Sequence, residues 1–84
     1  MEAPKPYRDE GNIRTFDEDV FEKELIWHRD LQDREITVLE GKGWQLQLED
    51  EYPNVMQVGK TYSITKLVYH RIIKGDNKLV LKIK

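Results

Sequence analysis

The chain has no cysteine. It therefore holds no disulfide, no thiolate nucleophile and no cysteine-ligated zinc or iron–sulfur centre, which is compatible with a reducing interior. It also lacks any apolar run near the roughly 18 residues of a membrane helix; mean hydropathy is -0.76 and 36% of residues are charged. An excess of positive charge is missing too. Fourteen Lys and Arg face sixteen Asp and Glu, giving a net charge of -2 and a pI near 5.7, without the positive field that dominates nucleic-acid affinity. The lone serine is Ser63, outside any Gly-x-Ser-x-Gly, which leaves a serine-hydrolase reading without support. No spacing singles out two acids for glycoside cleavage. The runs Asp17-Glu18-Asp19 and Glu49-Asp50-Glu51 lack the ligand spacing and turn glycine of a calcium loop and read as solvated turns. Gly41-Lys42-Gly43 opens no helix and precedes no Lys-Ser or Lys-Thr, so it reads as a turn and not a phosphate loop. Met1 to Pro6 has no apolar segment of the secretory type, so a cytoplasmic location is expected.

What remains is 84 residues, enough for one domain. Residues 1–11 carry two prolines and no periodicity and are expected to form a loose arm, with a single domain over 12–84. Strands are expected over Leu25 to Asp30, Glu35 to Leu39, Trp44 to Leu48, Thr61 to Ile64, Tyr69 to Ile73 and Leu79 to Ile83, separated by polar or glycine turns. Glu35 to Leu39 and Trp44 to Leu48 form the best hairpin candidate, joined through Gly41-Lys42-Gly43. Turn signals every 8 to 12 residues without an amphipathic helix predict an all-β fold, a sandwich or a small barrel.

Period-2 geometry groups Ile26, His28 and Asp30 on one face, Leu25, Trp27 and Arg29 on the other, Arg34 with Ile36 and Val38, and His70 with Ile72. If these faces share an interior, His28, Asp30, Arg34 and His70 gather at its mouth, flanked by Gln45, Gln47 and Tyr62. Leu25 and Trp27 form an apolar outer side that a second copy would cover, giving a homodimer; cover by Phe16, Val20 or Phe21 is the intramolecular alternative.

The spacing resembles the cupin motifs. The first, His-x-His, three or four residues, Glu, six residues, Gly, is matched by His28, with Asp30 at the second histidine, Arg34 at the glutamate and Gly41 last. The second, Gly, five residues, Pro-x-Gly, two residues, His, three residues, Asn, is matched by Gly59 and His70, with Thr65, Leu67 and Lys74 where Pro, Gly and Asn are usual. The resemblance covers about residues 25–83 and implies a small single-domain cupin of the RmlC-like superfamily, a small β-barrel or jelly roll. It also implies a degenerate metal site and, as small cupins do, a tendency to dimerise.

Three functions follow as expectations. The first is a ligand-binding or accessory module in which Arg34 anchors a small anionic or sugar-like ligand, with metal weak or absent. The second is a metal-dependent enzyme of the dioxygenase or isomerase type, with His28, Asp30 and His70 holding Fe, Mn, Ni or Zn. Against it, Arg34 places a permanent positive charge where a carboxylate would neutralise the cation. The third is a structural assembly protein. No catalytic residue, nucleic-acid partner or membrane partner is indicated.

Overall fold

The computed structural model describes residues 5–84. Eight strands follow one another: β1 (Arg8–Glu10), β2 (Ile13–Phe16), β3 (Arg34–Glu40), β4 (Gln45–Leu48), β5 (Asn54–Val55), β6 (Thr61–Ile64), β7 (His70–Ile73) and β8 (Leu79–Ile83), with one 3-10 turn at Glu22–Glu24. They form a five-stranded sheet in the order β1-β2-β8-β3-β6 and a three-stranded sheet in the order β5-β4-β7, and every named pairing is antiparallel. The all-β class is as expected, but the sheets stay open and do not close into a barrel. Among the described residues no helix is long and apolar enough to cross a membrane.

The expected hairpin between β3 and β4 does not form. β3 pairs with β6 and β8, whereas β4 pairs with β5 and β7. Gly41-Lys42-Gly43 instead turns the chain from one sheet to the other, and Lys74 to Asn77 does the same between β7 and β8. The two crossovers lie against each other. The Asp76 amide donates to the Lys42 carbonyl at 2.8 Å, and the Trp44 indole Nε1–H donates to the Asn77 carbonyl at 2.8 Å. Alternation is a property of each strand and does not name its partner, which is why two clean strands with a glycine turn mimic a hairpin.

Leu25 to Asp30 is also not a strand. It touches β7 through an isolated bridge between His28 and His70, because polar residues follow on both sides and no second partner continues the ladder. The two-face assignment fails with it: Leu25 and Ile26 both face the cavity described below, and Leu25 packs against the core. Trp27 stays outside, 40% exposed, beneath the Arg71 guanidinium at 4.9 Å from its ring centre.

The sheet also begins earlier than residue 12. Arg8–Glu10 pairs with Ile13–Phe16 across a turn at Gly11, and Tyr7 packs on Phe16 with ring centres 5.5 Å apart. Of the expected arm, residues 1–4 lie outside the described residues. Inward residues of both sheets build the core: Phe16 from β2, Ile36 and Val38 from β3, Leu46 from β4, Ile64 from β6, and Leu79 and Leu81 from β8, with Trp44 and Met56 between the sheets. The parity expected for β3 and β7, Arg34 with Ile36 and Val38, and His70 with Ile72, is the parity found.

Candidate functional site

The histidines are placed by backbone before side chains matter. The His28 amide donates to the His70 carbonyl at 3.0 Å and the His70 amide to the His28 carbonyl at 2.8 Å. This reciprocal pair sets the imidazoles side by side, ring centres 4.2 Å apart and inclined at 61°. Each Nδ1 then meets the carbonyl two residues upstream: His28 with Ile26 at 3.1 Å and His70 with Val68 at 2.9 Å. A carbonyl only accepts, so both Nδ1 atoms carry the proton in the neutral rings and both Nε2 atoms keep a lone pair.

Asp30 is held by a clamp between the segment after His28 and the segment before His70. The Leu67 amide donates to the Asp30 carbonyl at 2.8 Å, and the Lys66 amide donates to the Asp33 carboxylate at 2.8 Å. Leu67 takes a φ of 67° to do so, a left-handed conformation that costs a side-chain-bearing residue roughly 1–2 kcal/mol. The clamp brings Asp30 Oδ2 to 3.4 Å from His70 Nε2 and to 3.7 Å from Arg34 Nε. One donor atom from each of His28, Asp30 and His70 lies within 4.8 Å of the others. The four polar residues expected at the mouth are therefore together.

The flanking residues are not. Gln45 and Gln47 point away from the cavity because Leu46 between them points in; Gln47 accepts from Arg71 Nε at 2.9 Å and donates to the Glu51 carbonyl at 3.1 Å. Tyr62 shares the inward face of β6, but its hydroxyl accepts from the Gln57 amide at 2.8 Å, outside the cavity lining.

The cavity measures about 590 Å³ and opens between the sheets, with His28, Asp30, Arg34 and His70 at one end and an apolar floor that includes Ile36, Ile64 and Leu81. Its second wall joins Leu25 and Ile26 to residues outside every expected strand: Lys5, Pro6, Tyr7, Arg14, Lys23 and Glu24. Arg14 lies over the Tyr7 ring with its guanidinium carbon 3.8 Å from the ring centre and grips Asp9 through two bonds of 2.9 and 3.1 Å. Those bonds hold the Asp9 carboxyl below its ordinary range. The alternation of Arg14 and Phe16 along Ile13-Arg14-Thr15-Phe16 is the one sequence signal that could have found this wall.

His70 is buried, and its burial pushes its pKa below the ordinary 6.5; the nearby His28 and Arg34 act in the same direction, against the Val68 carbonyl and Asp30. The folded chain thus binds fewer protons at this ring than the unfolded chain does. Stability from neutral His70 is full above about pH 6.5, falls as the pH drops below that value, and levels off past the lower folded-state pKa. Urea midpoints measured from pH 7.5 to 4.5 should show this decline, and His70→Gln should flatten the part of it just below pH 6.5. Parallel curves for the two proteins would show that His70 is not responsible.

No protein-family model matches the chain, and no curated protein matches it. Among solved structures, the crystal structure of protein NMB1881 from Neisseria meningitidis is similar, with a TM-score of 0.59 and 17% identity over 92% of this chain and 76% of that one. At that identity the likeness shows a shared all-β fold and carries no function.

Proposed function

We propose that the protein is a small cupin-like ligand-binding or accessory module whose working part is the cavity between the sheets. The observation that carries this reading is the convergence of His28, Asp30, Arg34 and His70 at one end of a 590 Å³ space with an apolar floor of isoleucine and leucine side chains. Binding pockets combine apolar walls with a few converging polar groups in this way. Leu67 adds support for the cupin resemblance: it stands where the motif has glycine, and its φ of 67° is one that glycine adopts freely. The reading includes a homodimer across the outer side, where Trp27 and Tyr69 are 40% and 42% exposed; a monomer by light scattering would remove that part.

Titration of labelled protein with a mixed set of neutral, anionic and cationic fragments, followed by amide chemical shifts, tests the pocket. Shifts should cluster at residues 28–34, 64, 70 and 83, and Ile83→Trp, which fills the floor, should weaken those fragments by about tenfold or more. If no fragment moves these amides, the reading fails.

A second reading, a metal centre, is favoured by one specific observation. His70 Nε2 and Asp30 Oδ2 are both acceptors when His70 is neutral, yet they stand 3.4 Å apart, an arrangement that invites a cation. The donor set of two imidazoles and a carboxylate fits Fe, Mn, Ni or Zn, and the fixed Nδ1–H bonds are the usual outer-shell support for Nε2 ligation. His28, Asp30 and His70 would hold the ion, which would supply Lewis acidity at its open positions. Metal–ligand bonds of about 2.1 Å require donors roughly 3.0–3.4 Å apart. The 4.8 Å limit on the cluster therefore leaves a contraction that Arg34, beside the carboxylate, opposes.

A further inference from the structure

We infer that the ligand of this cavity is an amphiphilic monoanion, an apolar-tailed carboxylic acid whose carboxylate sits on Arg34 and whose tail lies along the isoleucine and leucine floor. The inference rests on the pocket reading above and adds the chemical class. Its first support is charge. The cavity lining carries four cations, Lys5, Arg14, Lys23 and Arg34, against two carboxylates, Glu24 and Asp30, although the whole chain is net negative at -2. Cationic side chains are thus concentrated where a ligand would enter, which raises the local concentration of anions.

The second support is which cation is available. Arg14 is spent on Asp9 through two hydrogen bonds. Arg34 is not spent in this way. Its nearest carboxylate oxygen is Asp30 Oδ2, 3.7 Å from Nε, beyond hydrogen-bond length. Among the described residues no acceptor takes any of its N–H groups, while its side chain is 36% exposed at the cavity end. A guanidinium fork with both terminal nitrogens open is matched in shape by a carboxylate. Asp30 also discriminates: its negative charge beside the fork tolerates a monoanion and disfavours a dianionic phosphate.

The third support is the floor. Ile36, Ile64, Ile72, Leu81 and Ile83 line the space beyond Arg34, and small acids such as acetate would leave it unfilled. An aliphatic tail removes that surface from water, at roughly 0.8 kcal/mol per buried methylene, about a fourfold gain in affinity each.

The test is isothermal titration of the full chain, below micelle-forming concentrations, with decanoate, decanol, decylammonium, acetate and inorganic phosphate. Decanoate should bind most tightly, with acetate and phosphate undetectable at the same concentrations. Arg34→Gln should weaken decanoate by about tenfold to a hundredfold and leave decanol within twofold, with an unchanged melting temperature showing that the fold is intact. Arg34→Lys, which keeps the charge and loses the fork, should fall between. Decanol or decylammonium binding as tightly as decanoate would overturn the anion assignment while leaving the pocket in place. Phosphate binding tighter than decanoate would overturn the amphiphile. Failure of every probe to bind would overturn the assignment too, and fragment shifts at the pocket in that case would show that the pocket reading survives it.

Discussion

Trp44→Ala is expected to destabilise the chain by about 4 kcal/mol, within the range for deleting a fully buried tryptophan, and to lower its urea midpoint by roughly a third or more. Trp44 is 0% exposed and sits where both sheet-to-sheet crossovers meet. Its ring lies 6.0 Å from Phe16, and its indole N–H is given to the Asn77 carbonyl. Truncation therefore opens a cavity between the sheets and strands a carbonyl of the second crossover. A chain of this size has a total stability of only about 4–12 kcal/mol, so this one loss removes roughly a third or more of it. Trp44→Phe keeps most of the volume and loses the hydrogen bond, which should cost about 1–2 kcal/mol. Gly75→Ala attacks the same junction from the other loop: an added Cβ would meet the Lys42 carbonyl oxygen and the Trp44 amide nitrogen, and backbone cannot rotate away as a side chain can. Urea unfolding followed by circular dichroism measures all three. A Trp44→Ala midpoint close to that of the parent would show that the crossovers do not depend on this ring.

The same junction explains what could and could not be read from the residues. The inward parity of Arg34, Ile36 and Val38, and of His70 and Ile72, follows from strand geometry alone and accounts for Arg34 and His70, whereas His28 and Asp30 reach the same place through a single bridge to β7 and not through a strand. Strand pairing does not follow from parity. Gly41-Lys42-Gly43 has the chemistry of a hairpin turn, but Trp44, immediately after it, is fully buried and bonded to the second crossover at Asn77. Similarly, alternation in β4 does not say which face is inward: Leu46 is buried, so Gln45 and Gln47 face outward. Beyond the alternation of Arg14 and Phe16, the N-terminal wall is illegible for a different reason. Tyr7 and Arg14 are single residues in a polar context, and their value comes from stacking on each other and on Phe16 across a sequence gap that no local pattern encodes.

Arg34→Glu is expected to tighten divalent-cation binding by roughly a hundredfold to a thousandfold, the largest change any single substitution should make at the site. In the parent, the guanidinium lies 3.7 Å from the Asp30 oxygen that a cation would use. Unit like charges about 4 Å apart repel by about 4 kcal/mol at an effective dielectric near 20, and partial exposure of Arg34 screens some of that. Retaining about half of it gives roughly 2 kcal/mol, or about thirtyfold, for removal of the charge alone, which Arg34→Gln measures. The carboxylate introduced by Arg34→Glu then adds attraction and a fourth donor. Titration with Zn(II) or Mn(II), or the visible spectrum of a Co(II) adduct, follows the gain, and adding His28→Ala should erase most of it. If neither Arg34 variant binds a cation more tightly than the parent, the donor atoms of His28, Asp30 and His70 do not act as one site. Arg34→Gln also separates the two readings, because the charge that repels a cation is the charge that holds a carboxylate. The same variant is expected to gain metal and lose decanoate, whereas a purely structural role for Arg34 would move neither.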